Sequence, residues 1–548
     1  MVKFLLNILF IFLSICGNTQ IALLDDIKTQ DKYFLKNLFI DTTEDKITSN
    51  FIKSKSIFDF YNRENSYIHD FTIVYNNLQN STLPNSFNDG NIYPAKGVQE
   101  RISLGLSFNY KWLDIRLQPE YIKVENKLQD PFLGYPADGN WWSRYYLMIA
   151  NNIDNFSYMS KSPIYNFNFG QSRAGFRNNY IATGISNENI WWGPGFRNSL
   201  IFTNNAPGFK HAYINIPKPI NIGFGELEFY ALNGILENTK YTNPDNEIMK
   251  NIWNDGIEKK KSSDRIISAF NITLQPKFSK NLFIGVSYAN QFYKNEINHN
   301  KVLNQIFSKN TSNLSLSSFY LKYNLPNENA EIYGELGQQS STTKVPNVFS
   351  DSVRIGYIIG ARKLSNINDK LNFLFGFEFT KLALSDPRHI FIKDNIFGHP
   401  QINSWYTSST IKQGYTNEAQ LLGASIGPGS NSQSIYFSIN SIKNNNRLLF
   451  YAERIVHDED FYHYVYVTGA FGNSKSDAYW VDLNWGVEAE ISLNKNLIFA
   501  TSFLNTQTMN YRSVKNGNED LFAQPGNGSD KNNLLLVFSI KLNINGIQ

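Results

Sequence analysis

Apolar and polar side chains alternate one by one along several stretches of this chain. From Val481 to Ile491 every odd position is apolar, and every even position is polar, charged or glycine. Successive side chains of a β-strand point to opposite faces, so this period of two predicts a strand with one apolar and one polar face. The same alternation recurs over residues 102–110, 113–121 and 371–379. Segments of about ten residues are long enough to cross a bilayer as tilted strands.

The connections between the predicted strands alternate between short and long. Short turns are predicted at residues 111–112, 279–281, 326–329 and 494–496. Long polar connections are predicted at residues 294–312, 338–350, 384–432 and 512–531. Short turns at one end and long loops at the other are typical of outer-membrane barrels, whose long loops face outward.

Together these patterns predict an all-β transmembrane β-barrel over residues 66–548. Residues 534–542 are its predicted closing strand, because an open sheet edge in lipid would leave backbone groups without partners. At roughly 25 residues for a strand and its loop, the chain provides about 16 to 20 antiparallel strands, and 18 is favoured since single-chain barrels have even numbers. The alternative is a large soluble β-protein exported to the periplasm, which explains the alternation but not the unequal connections.

The composition supports a barrel and narrows the choice of partners. Aromatic residues make up 15% of the chain and charged residues 18%, below the roughly 25% charged residues of soluble domains. This balance fits a wall with one apolar face turned to lipid, so outer-membrane lipid is a predicted partner. The net charge of +4 is small for 548 residues and gives no reason to expect nucleic-acid binding.

Residues 1–16 have the pattern of a secretory signal peptide. One basic residue, Lys3, precedes a mainly apolar run from Phe4 to Ile15 that is too short to span a bilayer. We expect cleavage after Cys16; lipidation of Cys16 is the alternative, although Ile15 stands where a small residue is expected. After cleavage the mature protein would lack cysteine, which excludes disulfides and cysteine catalysis.

Residues 22–65 differ from the predicted barrel. They are rich in lysine and aspartate and show no sustained alternation, while Leu23, Ile27 and Leu35 fit short amphipathic helices. We interpret them as a small periplasmic, helical segment, with a disordered leader as the alternative.

The least regular part of the predicted barrel lies between Asn187 and Pro207. It combines paired tryptophans, a Gly-Pro-Gly turn, an arginine and paired asparagines, a mixture that no simple core strand or helix needs. These residues are Trp191, Trp192, Gly193-Pro194-Gly195, Arg197, Asn204 and Asn205.

Three groups of residues resemble the outer-membrane capsule assembly proteins of the Wzi type. They are Phe169–Arg173 (FGQSR), Trp191–Gly195 (WWGPG) and Asn204–Phe209 (NNAPGF), within a recognisable part that covers roughly residues 70–240. Thr203 and Lys210 depart from the family pattern. The resemblance implies a barrel with an occluded interior, preceded by a small periplasmic segment. It also implies a non-enzymatic protein, without a cofactor, that binds or organises capsular polysaccharide at the cell surface.

The resemblance also gives the irregular region a role in glycan binding. Tryptophan faces can stack on the apolar faces of sugar rings, amides can pair with hydroxyls, and guanidinium groups can pair with acidic sugars. The predicted contacts are Trp191, Trp192, Arg173, Arg177, Arg197, Asn204 and Asn205. Structural roles are the alternative: the tryptophans would pack the lumen or belong to an aromatic girdle, and the asparagines would satisfy buried backbone groups.

Two other classes of protein are considered. Inward-facing charges also fit a diffusion porin or transporter, whereas an outer-membrane lipid hydrolase would need a serine, a histidine and an acid together. None of the seven histidines sits in a recognisable nucleophile motif, and residues 457–460 with His463 resemble a metal site only superficially. We therefore predict a non-catalytic protein without a metal site in the outer membrane, with a monomer favoured.

Overall fold

The computed structural model describes residues 51–54, 69–127, 152–154, 162–238, 260–296, 313–340, 354–384, 391–396, 399–402, 404–441, 446–463, 479–494, 496–511 and 530–545. The predicted signal peptide, residues 1–16, lies outside this part of the chain, and so does most of the predicted periplasmic segment 22–65.

Strands dominate the described residues. In chain order they are β1 Ile52–Ser54, β2 His69–Asn80, β3 Gly97–Tyr110, β4 Leu113–Leu117, β5 Glu120–Val124, β6 Ile164–Asn168, β7 Arg173–Arg177, β8 Ala182–Ser186, β9 Ile190–Trp192, β10 His211–Asn215, β11 Ile220–Asn221, β12 Gly225–Leu236, β13 Arg265–Pro276, β14 Leu282–Tyr293, β15 Leu314–Leu325, β16 Ala330–Ser340, β17 Arg354–Asn368, β18 Leu371–Lys381, β19 Phe391–Ile396, β20 His399–Ile402, β21 Thr416–Asn417, β22 Gln420–Leu421, β23 Asn431–Ser441, β24 Arg447–Val456, β25 Val481–Ser492, β26 Leu497–Met509 and β27 Lys531–Asn545. Short helical turns occupy Lys294–Glu296, Pro326–Glu328 and Glu459–Tyr462. In this part of the chain no helix is long and apolar enough to traverse a bilayer.

The described strands close into a barrel of 18 antiparallel strands. Three small two-stranded sheets, β1 with β9, β19 with β20, and β21 with β22, stand apart from the wall. Strand β27, which contains the predicted closing residues 534–542, pairs with β2 and completes the ring. The predicted antiparallel β-barrel, with the favoured number of 18 strands, is confirmed.

Some wall strands consist of two segments. Both β4 and β5 pair with β3, and the residues between them include Pro119, which has no backbone N–H to give to a sheet. The neighbouring wall strand is interrupted at the same level, between β6 and β7, where Gly170 has a φ of 52°. A Cβ at Gly170 would lie 2.4 Å from the carbonyl oxygen of Gln118, so only glycine fits there. The two breaks therefore lie side by side in the wall, where Gln118 and Gly170 form an isolated bridge.

The wall is apolar outside and polar inside. On β25, the side chain of Trp485 is 48% exposed whereas that of Asn484 is 3% exposed, and on β3 the values for Leu104 and Ser103 are 46% and 1%. A soluble sheet packed on a core would bury its apolar face instead. The observed polarity is that of a barrel whose outer face meets lipid.

The two ends of the barrel differ as the sequence predicts. The predicted short turns join β3 to β4, β13 to β14, β15 to β16, and β25 to β26. At the opposite end the connections are long, and two of them fold back into the barrel. We call residues 187–210, between β8 and β10, the first inner segment, and residues 404–430, between β18 and β23, the second inner segment. Hereafter this is the long-loop end of the barrel.

The main hydrophobic core lies inside the barrel and is built from the two inner segments and the wall. Trp192, Leu200 and Phe202 of the first inner segment pack in one cluster with Trp405 and Tyr406 of the second. The Tyr406 hydroxyl donates to the backbone oxygen of Leu200 over 2.8 Å, which joins the segments directly. Glycine on the wall makes room for them, since a Cβ at Gly337 would lie 2.5 Å from Leu200 Cδ1. The interior at this level is therefore filled with packed side chains.

A short piece of the chain before the wall also lies inside. Residues 52–54 form β1 and pair with β9, with Ile52 opposite Trp192. The backbone oxygen of Phe51 accepts a hydrogen bond from the N–H of Gly193 over 2.9 Å, and its ring meets that of Tyr320 edge-on at 4.6 Å. Within the stretch for which we predicted helices, these residues are thus extended, because β9 offers them a strand partner. The helical prediction for the rest of 22–65 concerns residues outside the described part.

Candidate functional site

The paired tryptophans of the first inner segment are buried. Trp192 is fully buried, and its ring meets those of Phe202 and Tyr230 edge-on at 4.9 and 5.8 Å. Trp191 is 4% exposed, and the ammonium of Lys53 lies 5.4 Å from its ring centroid. Both indoles therefore contribute to the interior core in this structure, and neither presents a free face to the long-loop end.

One inward carboxylate organises the turn that follows the tryptophans. Glu378 of β18 accepts hydrogen bonds from the backbone N–H groups of Phe196, Arg197 and Asn198, over 2.7, 3.1 and 2.7 Å. The Tyr333 hydroxyl donates to the same carboxylate over 2.8 Å. Three backbone N–H groups converging on one anion form a nest, and such charge-assisted bonds are stronger than neutral ones.

Two further features fix the same turn. A Cβ at Gly195 would lie 1.9 Å from the backbone oxygen of Asn198, so the close approach of the chain to itself requires glycine at this position. A second inward carboxylate, that of Glu335, is 3.3 Å from the backbone nitrogen of Leu200. The turn is thus a structural element held to the wall by acidic side chains.

Arg197 is paired with protein rather than presented to solvent. Its guanidinium forms a two-pronged contact with Glu453 of β24, with Nε–Oε1 of 3.1 Å and Nη2–Oε2 of 2.7 Å. The same group lies over the ring of Phe87, 4.3 Å from the centroid. This bidentate geometry is the one a sugar carboxylate would need, and Glu453 already occupies it.

The other two predicted arginines share a second buried cluster in the wall. Arg173 of β7 is paired with Asp114 over 2.9 Å and with Glu188 over 2.5 Å. Arg177 lies 3.6 Å from the same Asp114 carboxylate. Removing one partner from such a group would leave an uncompensated buried charge and would destabilise the region around the broken strands.

The predicted asparagines bridge segments of backbone. Asn204 donates through its amide to the backbone oxygen of Asn88 over 3.0 Å, and its own backbone oxygen accepts from the N–H of Gly90. Asn205 donates to the backbone oxygen of Leu421 over 3.0 Å. Asn205 also lines a cleft at the long-loop end, described next, which the other predicted glycan contacts do not line.

A cleft with a volume of about 190 Å³ opens between the long loops and the second inner segment. Its walls come from the β2–β3 connection, residues 153–154, the second inner segment and the outer ends of β24, β25 and β26. It is lined by Leu83, Pro84, Asn85, Ser86, Phe87, Pro94, Ile153, Asp154, Asn205, Ala419, Gln420, Leu421, Ser425, Ile426, Gly427, Pro428, Ile455, His457, Asp458, Trp480, Asp482 and Tyr511.

Three rings form an aromatic corner in this cleft. The His457 ring stacks on Trp480 with centroids 4.3 Å apart, and Tyr511 meets Trp480 edge-on at 5.2 Å. Asp482 locks the corner, because it lies 2.8 Å from His457 Nε2, 3.3 Å from the indole nitrogen of Trp480 and 2.6 Å from the hydroxyl of Thr508. The Trp480 side chain is partly exposed, so the three rings are fixed in position and Trp480 remains accessible from the cleft.

Polar groups surround the aromatic corner. Among the described residues the Ser425 hydroxyl is buried without a hydrogen-bond partner, and Asn85 and Gln420 add amides to the lining. Burial alone would lower the pKa of His457, but the carboxylates of Asp482 and Asp458 outweigh that effect and hold the pKa above its ordinary value. Flat aromatic faces next to amides, hydroxyls and carboxylates can bind a polar ligand that also has apolar faces.

The sequence pattern did not single out this cleft. We considered His457 only as part of a weak metal motif; instead it bonds to Asp482, while His463 bonds to Glu459 over 3.3 Å. In the part of the chain that the structure describes, no three His, Cys, Asp or Glu side chains are grouped to hold a metal. Trp480 could have been found by extending the alternation of β25 by one step, because it shares the inward parity of Asp482.

Comparison with solved structures supports the fold. Over 86% of this chain and 84% of its own, the structure matches Wzi of Escherichia coli, described as an outer-membrane protein involved in group 1 capsule assembly and a carbohydrate-binding β-barrel, with a TM-score of 0.55 and 12% identity. OccK5 of Pseudomonas aeruginosa (TM-score 0.39, 9% identity, 87% and 98% covered) and OccAB4 of Acinetobacter baumannii (0.40, 8%, 88% and 100%) are more distant, and we draw nothing from them. No protein with a curated description matches the sequence.

Comparison with family models gives a direct assignment. The model of the capsule assembly protein Wzi family matches residues 165–502, more than half of the 548-residue chain. The match includes the whole first inner segment, whose turn is held by Glu378 and Glu335, and two rings of the aromatic corner, His457 and Trp480; Tyr511 lies beyond it. The resemblance noted in the sequence is therefore confirmed, and the chain belongs to the Wzi family of capsule assembly proteins.

Proposed function

We propose that this protein binds and organises capsular or another surface polysaccharide at the outer membrane, and that it does so without catalysis. One observation carries the proposal: an aromatic corner surrounded by amides and carboxylates lies at the long-loop end of a barrel whose outer face is apolar. In outer-membrane barrels that end faces outward, so the cleft would open toward the cell surface.

The chemistry of the cleft suits a sugar. The indole of Trp480 offers a flat apolar face that can cover the C–H groups of a sugar ring, and aromatic contacts of this kind contribute much of the energy at binding sites. Asn85 and Gln420 carry both donors and acceptors, which match hydroxyl groups that also donate and accept. Family membership and the carbohydrate-binding description of Escherichia coli Wzi support the same ligand class.

The remaining parts of the proposal follow from the wall. Its exposed Leu, Phe, Tyr and Trp side chains would contact outer-membrane lipid, and an N-terminal signal peptide would direct the chain there. We propose a monomer as the functional unit. The glycan contacts predicted at Trp191, Trp192, Arg173, Arg177, Arg197, Asn204 and Asn205 stay a prediction, with Asn205 best placed to touch a ligand.

Deletion of the gene tests the proposal in cells. We expect the fraction of surface polysaccharide that stays attached to the cell to fall, with a matching rise in the released fraction, while total synthesis is unchanged. The measurement is the ratio of cell-attached to released polymer, with plasmid-borne wild-type protein as the control that restores it. An unchanged ratio would leave the protein without the proposed role.

The filled interior predicts that the protein does not conduct ions as an open pore. Trp192, Leu200, Phe202, Trp405 and Tyr406 occupy the lumen as one packed cluster, which excludes a continuous column of water at that level. Purified protein in planar bilayers should give no steady open-channel current, whereas an open porin measured alongside should. Steady currents from the wild-type protein would favour the porin alternative instead.

A further inference from the structure

We propose that the cleft binds an uncharged sugar unit of the polysaccharide and disfavours units that carry a carboxylate. This inference rests on the proposed function, since it names the kind of sugar that the same cleft would select. It differs from the expectation drawn from the sequence, in which arginines would pair with acidic sugars.

The charge of the lining is the first observation. Among the described residues that line the cleft, Asp154, Asp458 and Asp482 are acidic, and none is lysine or arginine. Carboxylates accept hydrogen bonds from sugar hydroxyls. Lys260 and His457 offset the charges of Asp154 and Asp482, and the carboxylate of Asp458 in the same lining would repel that of a uronate. Repulsive elements of this kind give specificity by weakening the wrong ligand.

The positive groups around the cleft are engaged. Lys260 donates to Asp154 Oδ1 and to the backbone oxygen of Ile153, each over 2.7 Å. His457 is bonded to Asp482. Recognition of a uronate by a cation would have to break such a pair, whereas an uncharged ring can use the lining as it stands.

The arginines that could have served an acidic sugar are committed to the interior. Arg197 is paired with Glu453, and Arg173 with Asp114 and Glu188. These arginine side chains thus hold the first inner segment and the interrupted wall strands in place.

The size of the cleft fits a short stretch of polymer. A volume of about 190 Å³ holds on the order of a dozen water molecules, since one needs roughly 10–15 Å³ on this scale. That space accommodates one or two sugar rings, one of them on Trp480. The Ser425 hydroxyl, buried and without a partner among the described residues, would be satisfied by a sugar hydroxyl or by water.

One polysaccharide preparation tests the inference. Surface polysaccharide from the cells that carry the gene is divided into three samples: untreated, carboxyl-reduced, and oxidised at its primary hydroxyls to uronates. The last two share length and linkages and differ in charge. Purified protein should bind the reduced polymer at least about tenfold more tightly than the oxidised polymer at low ionic strength, and the ratio should shrink at high salt because charges are screened.

Variants locate the effect. Asp458→Asn should narrow the ratio about threefold, the size of one solvent-screened like-charge contact. Asp458 is largely buried but lines the cleft, and asparagine accepts the φ of 46° that Asp458 adopts. Glu328→Gln, at the opposite end of the barrel, should leave the ratio unchanged. Equal or tighter binding of the oxidised polymer would overturn the inference. So would a loss of binding to the oxidised polymer in the Lys531→Gln variant, because the ammonium of Lys531 lies 5.2 Å from the Tyr511 ring centroid and would then be the group that recognises the uronate.

Polysaccharide binding and charge selection can be tested separately with these samples. If the protein binds none of the three samples, the polysaccharide-binding function fails and the inference fails with it. If untreated polymer binds, and Trp480→Ala weakens that binding, but reduced and oxidised samples bind equally, only the charge selection is wrong.

Discussion

Replacing Trp480 by alanine is expected to weaken polysaccharide binding about thirtyfold, because a central aromatic anchor typically contributes about 2 kcal/mol. Trp480 is the middle ring of the corner, because the His457 ring stacks on it and the Tyr511 ring meets it edge-on. Truncation removes the flat face and also loosens both neighbours. The dissociation constant can be measured by calorimetry on the detergent-solubilised protein.

The matched control for this variant is Trp112→Ala. Trp112 lies in the short turn between β3 and β4, at the other end of the barrel, and is 59% exposed. The Trp112→Ala variant loses the same kind of side chain but leaves the cleft intact, so its affinity for the polysaccharide should be unchanged. If Trp480→Ala binds as tightly as Trp112→Ala, the aromatic corner is not the binding platform.

Replacing Glu378 by alanine is expected to destabilise the folded barrel by about 3 kcal/mol or more, because several buried polar groups would lose their hydrogen-bond partner at once. The backbone N–H groups of Phe196, Arg197 and Asn198 would lose their common acceptor, and Tyr333 would lose the partner of its hydroxyl. The temperature at which the boiled and unboiled forms interconvert on a gel should fall, and β-rich circular dichroism should be lost at the same lower temperature.

Glu328→Ala is the control for Glu378→Ala. Its carboxylate pairs with Lys363 at the surface, where the two side chains are 66% and 53% exposed, and exposed pairs contribute little. The transition temperature of this variant should match that of the wild type. A Glu378→Ala protein with the same transition would show that the turn does not depend on its carboxylate.

The wall could be predicted from the sequence because lipid imposes its pattern on every strand alike. Leu104 and Trp485 face outward whatever their neighbours are, so alternation alone places them. The pattern gave no sign of β1, because residues 52–54 are extended only through their partner β9, far along the chain. The paired breaks at Pro119 and Gly170 were also missed, since each makes sense only beside the other.

The cleft was missed for a related reason. Trp480 and Tyr511 are separated along the chain by two complete strands and meet because Asp482 pairs with Thr508 across β25 and β26. No spacing of residues in the sequence indicates that these two rings are in contact. The conspicuous Trp191 and Trp192 instead mark where the chain packs most tightly, which explains why the segment identifies the family well and a binding surface poorly.

The seam between β2 and β27 has a consequence for how this molecule is made. Asn76 on the first wall strand bonds to Ser539 on the last over 2.7 Å, so the ring stays open until the final strand is in place. Both inner segments are connections at the long-loop end, so they enter the ring from that open end and lie against the inner face of the wall. The seam joins residues that are 463 positions apart in the chain, and non-local pairing of this kind is intrinsically slow. Until β2 and β27 pair, the sheet has two unpaired edges, and exposed edges of this kind are prone to aggregate.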